Sequence, residues 1–386
     1  MNAYRLHLIW FLHQPFFISD EELSWRVDST YFPLLEALRD RSIKCSVGVT
    51  GSLLERCAQL RPDFIEALLE AIQGDWIMLL GTAAYHPILP WLSTQSARAQ
   101  ILVDREVKAR LGLPTSNVFW PTELAWSMRV GALAIELGYE TVVIDNCSRD
   151  AANIVPRWRS DSGGLYPVVN VDQPLGIASK ISTVVSSSGA CPSLNLWVRE
   201  RALSNALLET MHSDEERATH YFDIFSAALE STFARAKDPS APLVLADDPE
   251  RYLPNGLTRL QGLLDTAIST SVEFVSPREF ISGPCQNFLS YVPAGTMEDS
   301  DWMWSATTDD QWFRRYLDQL TLRVETACDL LCPKTEKEHD IRRKLLRVQD
   351  SGFYFWHYVS RTRRDFYLNL VEIEDWLNKL PPKHKL

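Results

Sequence analysis

Short apolar runs separated by longer amphipathic stretches mark the first 280 residues of the chain. The runs are rich in Val, Ile, Leu, Phe and Trp, and each is four to eight residues long. Runs of this length and composition predict buried strands. They cover residues 4–11, 44–50, 76–80, 117–120, 140–145, 194–199, 242–248 and 272–277.

Helical periodicity fills most of the intervals between these runs. A polar, Gly/Ser-rich stretch from 149 to 192 predicts loops and short strands instead. Strands that alternate with helices, without hairpin signals between them, predict a parallel sheet, and this number of strands favours a closed barrel over an open sheet. The predicted helices cover residues 32–39, 52–60, 63–72, 95–111, 127–138 and 214–236.

The pattern changes beyond Pro293. Residues 310–331, 336–348 and 365–380 are long, charged and periodic, which predicts amphipathic helices. The sequence therefore predicts an α/β barrel over residues 1–292 and a C-terminal helical subdomain over residues 293–386.

Composition narrows the classes of partner. A net charge of -11 and a pI near 5.3 disfavour nucleic acid or an anionic membrane as the main partner. No apolar run has the length of a membrane span, and the N-terminus lacks a signal cleavage pattern, so we expect a soluble, cytoplasmic protein. The seven cysteines are scattered and predict neither disulfides nor a cysteine zinc site. The thirteen Trp residues favour a carbohydrate ligand.

Polar residues stand where the predicted strands end. In a parallel barrel, the carboxyl ends of the strands share one face, and that face carries the chemistry of barrel enzymes. The sequence therefore predicts one site on this face. Its members are His13, His86, Glu123, Asp145, Arg199 and the pair Asp247 and Asp248.

Glu123 is the first candidate for chemistry. It follows the short strand that Pro121 ends, and it lies between Trp120 and Trp126. Aromatic rings pack on the apolar faces of a pyranose while a carboxylate addresses the anomeric carbon. The alternative is structural, with Glu123 in the first turn of the helix that starts near Ser127 and the aromatic rings in the core.

A second group of acids, Asp247, Asp248 and Glu250, follows a very apolar strand. Crowded carboxylates raise one another's pKa, so one of them can hold a proton near neutral pH and serve as a general acid. Together with Glu123, such an acid matches the two-carboxylate design of retaining glycosidases. The alternative is a solvated acidic turn.

Four further residues have both a structural and a functional interpretation. His13 and His86 can hydrogen-bond sugar hydroxyls or bind a metal, although H-x-x-x-H and H-x-H spacings are absent. Trp356 and His357 form part of an aromatic cluster that would reach the substrate if a tail helix folded over the barrel. Packing alone also explains that cluster.

In this order the motifs resemble those of glycoside hydrolase family 57, which includes retaining amylases, 4-α-glucanotransferases and branching enzymes. The resemblance spans nearly the whole chain, and the ordered set is more specific than any one motif. It rests on His13-Gln14-Pro15, on residues 85–90, on Trp-Pro-Thr-Glu at 120–123, on residues 197–204, on Asp-Pro-Glu at 248–250 and on residues 349–357.

The resemblance implies a fold, a reaction and roles for single residues. The fold is an incomplete (β/α)7 barrel with a C-terminal helical domain, and the substrate is an α-linked glucan or oligosaccharide. Glu123 is the implied nucleophile and Asp248 the implied acid/base, with no metal and no cofactor required. The implied substrate-binding residues are His13, Gln14, His86, Trp120, Trp126, Asp145, Arg199, Glu250, Trp356 and His357.

The chain departs from the family pattern at three positions. Phe11 stands where members usually carry a second histidine, Pro249 replaces a glycine, and the acid of the last motif is shifted or replaced by Gly352. Lost polar contacts in a sugar site change substrate choice more readily than reaction type. Two alternatives remain: a carbohydrate-binding pseudoenzyme on the same barrel, and a metal-dependent polysaccharide deacetylase-like hydrolase that uses His13, His86 and an Asp.

Overall fold

The computed structural model describes most of the chain, and the structural statements below concern the described residues. These are 4–145, 179–182, 193–212, 218–235, 242–251, 253–269, 272–282, 287–289, 308–330, 335–351 and 363–381. Trp356 and His357 lie outside them. Within the described residues, no helix combines the length and the apolar character that crossing a bilayer requires.

The described strands belong to one sheet, and each predicted strand is present. In chain order they are β1 (Tyr4–Leu12), β2 (Cys45–Val49), β3 (Ile77–Leu80), β4 (Val118–Phe119), β5 (Thr141–Asp145), β6 (Ser179–Ser182), β7 (Ser193–Arg199), β8 (Leu243–Asp247), β9 (Val272–Phe274) and β10 (Asn287–Leu289).

Seven of these strands form a nearly closed parallel barrel. The order around it is β1, β2, β3, β4, β5, β7, β8 and back to β1. Two seams are thin, because β3 and β4 meet at the bridge between Gly81 and Phe119, and β7 and β8 pair at Arg199 and Val244. This arrangement confirms the incomplete (β/α)7 barrel.

Three strands lie outside this ring. β6 pairs antiparallel with β7, and β10 pairs with β6, which extends the sheet beyond the barrel. β9 is shorter than the sequence predicts and pairs with the first residues of β1.

Strand β1 shows how the side-chain pattern builds the barrel. Alternate residues of a strand point to opposite faces. Leu8 and Trp10 pack in the outer core between sheet and helices, whereas Ile9 and Phe11 pack in the barrel interior. His13 continues the interior series just past the strand, so it emerges at the mouth of the barrel.

Helices cover the outside of the barrel. They are α1 (Asp20–Arg26), α2 (Phe32–Asp40), α3 (Gly51–Leu60), α4 (Pro62–Gln73), α5 (Thr94–Arg110), α6 (Met128–Glu136), α7 (Arg201–His212), α8 (Ala218–Arg235), α9 (Leu257–Ser269) and α10 (Pro277–Ser282), with a π-helix at Val27–Tyr31. The sequence analysis missed α1, α7, α9 and α10. Helix α7 follows β7 after a single residue, with neither Gly nor Pro to mark the boundary.

The tail is helical, as predicted. Helices α11 (Thr308–Leu330), α12 (Glu336–Arg347) and α13 (Arg363–Lys379) share an apolar core that includes Val324, Ile341 and Phe366. Polar contacts join this unit to the barrel: Gln100 of α5 donates to the Leu346 carbonyl at 2.9 Å and to Gln349 at 3.2 Å. The segment after α12 is thereby held against the barrel mouth.

Candidate active site

The barrel brings the predicted strand-end residues to one face. Asp145, Arg199 and Asp247 are the last residues of β5, β7 and β8. His13 follows β1 directly, and His86 and Glu123 lie in the segments after β3 and β4. Since these strands run parallel, their carboxyl ends meet at one mouth, as the sequence predicts.

Glu123 lies in a tight turn rather than in a helix. Pro121 ends the strand segment, and Glu123 and the next residue both adopt left-handed backbone conformations, with φ of 56° and 48°. Helix α6 begins only at Met128, so the alternative of a helix first turn is wrong. Strained backbone of this kind costs on the order of 1–3 kcal/mol per residue and concentrates at functional sites. The turn holds Glu123 at the mouth with 13% of its side chain exposed.

His86 and His13 form a stacked pair beside Glu123. Their ring centroids are 3.8 Å apart and the rings are 9° from parallel. His86 Nδ1 lies 2.8 Å from the Ser351 hydroxyl and 3.6 Å from Glu123 Oε1. Burial lowers the pKa of His86 to about 3. Burial, and then the neighbouring His86, lower the pKa of His13 well below its usual value. Both imidazoles are therefore neutral near pH 7.

Asp350 joins this pair from the tail. Its fully buried carboxylate accepts a hydrogen bond from the Phe16 backbone N–H at 3.4 Å and places Oδ1 4.0 Å from His13 Nε2. That nitrogen is buried and has no hydrogen-bond partner among the described residues. A gap of 4.0 Å is too long for a direct hydrogen bond, but a hydroxyl group can bridge it. We refer to His13, His86, Asp350 and Ser351 as the histidine cluster.

The sequence analysis did not select Asp350 or Ser351. Asp350 stands two residues before Gly352, the position at which the resemblance leads one to expect an acid. The sequence signal was the displaced acid of the last motif, and the structure favours a shift to position 350 because Asp350 reaches the site.

The acids at the end of β8 and in the turn after it have different hydrogen-bond partners. Asp247 Oδ1 accepts the Asp248 N–H at 2.9 Å. Glu250 Oε1 accepts two hydrogen bonds of 2.8 Å, from the His13 N–H and the Tyr31 hydroxyl. Burial raises the pKa of Glu250 to about 7, against the lowering effect of these hydrogen bonds. Glu250, a predicted substrate contact, thus supports the backbone that carries His13.

Asp248 is coupled to Glu123 across the mouth. Burial raises its pKa well above the usual carboxyl range, and the negative charges of Glu123, Asp247 and Glu250 raise it further. Asp248 Oδ1 is buried and finds no hydrogen-bond partner in the described part of the chain. The two acids, far apart in sequence, therefore act on each other electrostatically. Such an arrangement keeps a proton on Asp248 near neutral pH.

Arg199 and Asp145 form hydrogen bonds within the protein. We call these two residues the arginine pair. Arg199 donates to Asp145 at 2.7 Å and to the Ala246 carbonyl at 2.8 Å, and both side chains are almost completely buried. The pair connects β5 and β7 to β8, and contact of these two residues with substrate stays a prediction. A buried pair of this kind fixes the strands next to Asp247 and Asp248.

The predicted aromatic platforms are packed inside the protein. Trp120 is 1% exposed and stacks on Phe11 at 5.1 Å in the barrel interior. Trp126 is 2% exposed and lies in an outer core, with its ring against Gly131. Gln14 is 5% exposed and contacts the Tyr31 hydroxyl. These three side chains are packed within the protein in this arrangement, and their contact with substrate stays a prediction.

The histidine cluster also contains the ligand types of a metal site. Ligand atoms of His13, His86 and Asp350 all lie within 4.8 Å of one another. An imidazole binds an ion at about 2.0–2.1 Å, close to the plane of its ring. The two ring planes are nearly parallel and stacked at 3.8 Å, so a single ion cannot lie in both. In this arrangement the three side chains do not fit one metal ion.

A buried ion pair on α5 contacts the backbone next to the mouth of the barrel. Asp104 and Lys108 lie one turn apart on α5, and their side chains meet at 2.7 Å. Lys108 donates to the Leu80 carbonyl and Asp104 accepts the Thr82 N–H, while the Thr82 hydroxyl donates to the Trp120 carbonyl at 2.8 Å. The pair thus fixes the ends of β3 and β4. Sequence analysis missed it, because i, i+4 charges usually indicate a solvated helix face.

Comparisons with known proteins agree with these observations. A family model for glycosyl hydrolase family 57 matches residues 7–281. The chain is 21% identical over 393 aligned positions to an alpha-amylase of Pyrococcus furiosus, covering 91% of this chain and 55% of that protein. It is 26% identical over 153 positions to a 4-alpha-glucanotransferase of Thermococcus litoralis, covering 38% and 23%. The chain thus aligns with about half of the first relative and a quarter of the second.

Solved structures share the fold. The 4-alpha-glucanotransferase from Thermococcus litoralis matches with a TM-score of 0.70 at 16% identity, over 98% of this chain and 60% of that one. A GH57-type branching enzyme from Pyrococcus horikoshii matches with a TM-score of 0.69 at 14% identity, over 97% and 88%. At these identities the likeness concerns the fold alone.

Proposed function

The chain belongs to glycosyl hydrolase family 57, and on that premise we propose that it cleaves α-linked glucans by a retaining mechanism. The proposed nucleophile is Glu123 and the proposed acid/base is Asp248. The substrate class rests on the names of the relatives, which are alpha-amylases and 4-alpha-glucanotransferases. The roles are supported most directly by the pKa of Asp248, which burial and then the negative charge of Glu123 raise well above the usual carboxyl range.

The first step forms a glycosyl-enzyme. A Glu123 carboxylate oxygen bonds to the anomeric carbon while the bond from that carbon to the leaving oxygen breaks. Asp248 donates its proton to the leaving oxygen and becomes a carboxylate. The raised pKa of Asp248 suits this step, because the acid must hold a proton in the resting enzyme.

The second step reverses these roles. Asp248 takes a proton from a water molecule or from a sugar hydroxyl, whose oxygen then bonds to the anomeric carbon and releases Glu123. Water gives hydrolysis and a sugar hydroxyl gives transfer. The same two carboxyl groups serve both reactions, so the acceptor depends on how well the mouth excludes water.

The histidine cluster has a proposed role in holding the sugar at the cleavage point. His13 Nε2, which has no hydrogen-bond partner in the part of the chain that the structure describes, lies 4.0 Å from the Asp350 carboxylate, a spacing that one sugar hydroxyl can bridge. Because both imidazoles are neutral, they interact with hydroxyl groups without demanding a charged ligand. This supports a neutral saccharide as the substrate.

We also propose that the protein divides into a barrel domain, 1–292, and a helical domain, 293–386. The tail helices have an apolar core of their own, which supports the division. The site nevertheless draws on both parts, since Asp350 and Ser351 follow α12. The helical domain is then expected to be necessary for activity.

Two variants test the proposed roles on maltooligosaccharides. Glu123→Gln should lower kcat by on the order of 10⁴-fold or more, as expected when a nucleophile is removed. Asp248→Asn should lower it by roughly 10²–10⁴-fold, with a smaller loss on substrates whose leaving group needs no proton. Glu136→Gln, at an exposed acid paired with Arg98, is the matched control and should leave kcat unchanged.

The outcomes separate the proposal from its rivals. Retention requires that the first product formed, observed by NMR, has the α configuration. Full activity in Glu123→Gln would refute the nucleophile. Binding of maltoheptaose without cleavage of any α-linked substrate would favour the carbohydrate-binding pseudoenzyme instead.

A further inference from the structure

A cavity lies at the junction of the barrel and the tail, apart from the two catalytic candidates. Its volume is about 170 Å³, and it is enclosed by residues 88–93 on one side, α11 on the other and Gln349 at the base. We call it the seam cavity. The roles proposed for the carboxylates and the histidine cluster do not use it.

The seam cavity adjoins the active site along three segments of chain. Ile88 follows His86 by two residues and packs against Ala125, which follows Glu123 by two residues. Gln349 directly precedes Asp350. Each of these segments therefore carries both a residue of the mouth and a residue at or against the cavity. The cavity is therefore a near neighbour of the mouth along each of these segments.

The walls combine an aromatic side chain with apolar ones. Trp91 lines the cavity, and the Arg314 guanidinium lies 4.5 Å from its ring centroid, which fixes the indole against α11. Leu322 lines the cavity while 63% of it is exposed, an unusual exposure for a leucine. The cavity thus offers a solvent-facing apolar wall.

Polar groups complete the lining. Thr321 and Gln349 contact each other at 3.5 Å at the base, and Glu325 accepts hydrogen bonds from Ser93 and Ser96 at 2.6 and 2.8 Å. Asp318 is an exposed lining residue beside Arg314. The charges of Asp318 and Arg314 offset each other, and the Glu325 carboxylate leaves the lining with one net negative charge, so the cavity disfavours an anionic ligand.

We propose that the seam cavity is a saccharide subsite that binds a glucosyl unit of the α-glucan remote from the bond being cleaved. This inference rests on the proposed function and names a further contact for the same substrate. Apolar walls suit the faces of a pyranose, and carboxylate, amide and hydroxyl groups suit its hydroxyls. The volume fits a single sugar ring rather than a protein segment. Trp91 and Asp318 therefore determine how long a glucan the protein prefers.

Substrate length provides the test. Trp91→Ala and Asp318→Ala should each lower kcat/KM on maltoheptaose by about tenfold, and leave kcat/KM on the shortest oligosaccharide that is cleaved within twofold. Leu322→Ala should act in the same direction with a smaller loss. Leu330→Ala is the matched control, because Leu330 is also an exposed leucine on α11 but does not line the cavity. It should behave as the wild type at every length.

A second measurement does not depend on turnover. Glu123→Gln should bind maltoheptaose by calorimetry, and adding Trp91→Ala or Asp318→Ala should weaken that binding about tenfold. Since Asp318 is exposed, Asp318→Ala tests the cavity even if Trp91→Ala fails to fold. A loss that is equal at all lengths, or no loss, overturns the subsite while leaving the proposed function intact. A wild type that neither cleaves nor binds any α-glucan overturns the proposed function and the subsite together.

Discussion

The histidine cluster and the arginine pair lie at the same end of the barrel and are both buried, yet they differ in what their polar atoms do. Arg199 directs its guanidinium to Asp145, to the Ala246 carbonyl and, at 3.5 Å, to Asn205. In the cluster, His13 Nε2 has no hydrogen-bond partner among the described residues and stands 4.0 Å from Asp350. Buried polar groups normally find partners. For this reason we propose that a hydroxyl group of the ligand completes the hydrogen bonding of His13 Nε2.

The difference also shows that a position at a strand end does not decide function. The family resemblance implied substrate binding for His13, His86, Asp145 and Arg199 alike, and all four lie at or after the ends of strands of one barrel. The two groups differ in charge state. A buried, fully paired ion pair contributes specific structure, whereas two neutral imidazoles beside a carboxylate leave room for a neutral ligand.

The largest effect is expected from breaking the arginine pair. Arg199→Met leaves the Asp145 carboxylate buried without its main partner, which should lower the free energy of unfolding by about 3–5 kcal/mol. Urea unfolding followed by tryptophan fluorescence measures the change. Arg98→Met, at an exposed pair with Glu136, is the control and should have little measurable effect. A stable but inactive Arg199→Met would instead place Arg199 among the substrate-binding residues.

The pH dependence of stability tests the role of Glu250, whose carboxyl group accepts the hydrogen bond from the backbone of His13 in the histidine cluster. Glu250→Gln keeps an oxygen that can accept the His13 and Tyr31 hydrogen bonds but cannot ionise. Because the pKa of Glu250 is raised to about 7, its contribution to stability is fully present below the pKa of an unfolded Glu and is lost as pH rises through about 7.

The wild type should therefore lose up to about 3 kcal/mol of unfolding free energy relative to Glu250→Gln between roughly pH 4 and pH 8. Because the negative charge of Glu250 also raises the pKa of Asp248, the difference between the two unfolding curves reports Glu250 together with its effect on Asp248. Curves that stay parallel over this range would contradict the buried, proton-holding state of Glu250.

The smallest effect should come from altering the cluster itself, and it should appear in activity rather than stability. Asp350→Asn keeps an acceptor for the Phe16 N–H but removes the charge, so kcat/KM should fall about 10–100-fold, the value of a hydrogen bond to a charged group. Ser351→Ala removes one neutral bond to His86 and should cost less than Asp350→Asn. An Asp350→Asn protein that is unstable yet fully active when folded would make the cluster as structural as the arginine pair.

The sequence alone determined the architecture, and it supplied the prediction that Glu123 and Asp248 are the two catalytic carboxyl groups. Apolar runs of strand length alternating with amphipathic helices are local signals, and they predicted the seven strands that close the barrel. Because all seven strands are parallel, their carboxyl ends share one face. The positions of His13, His86, Glu123 and Asp248 just after their strands therefore predicted that they meet at one mouth. Ordered motifs added the family, which the family model confirms over residues 7–281.

Only the tertiary structure decided which polar groups are already paired. Whether a hydrogen-bonding group is satisfied depends on neighbours from distant parts of the chain: Glu250 holds the His13 backbone across 237 positions, and Ser351 reaches His86 across 265. A short sequence window contains none of these partners. It therefore could not show that Arg199 is bound to Asp145, that Trp126 packs in the core, or that Asp350 enters the site from the tail. Burial and pairing are properties of the folded chain, and they separate the groups that hold the barrel together from those proposed to bind a ligand.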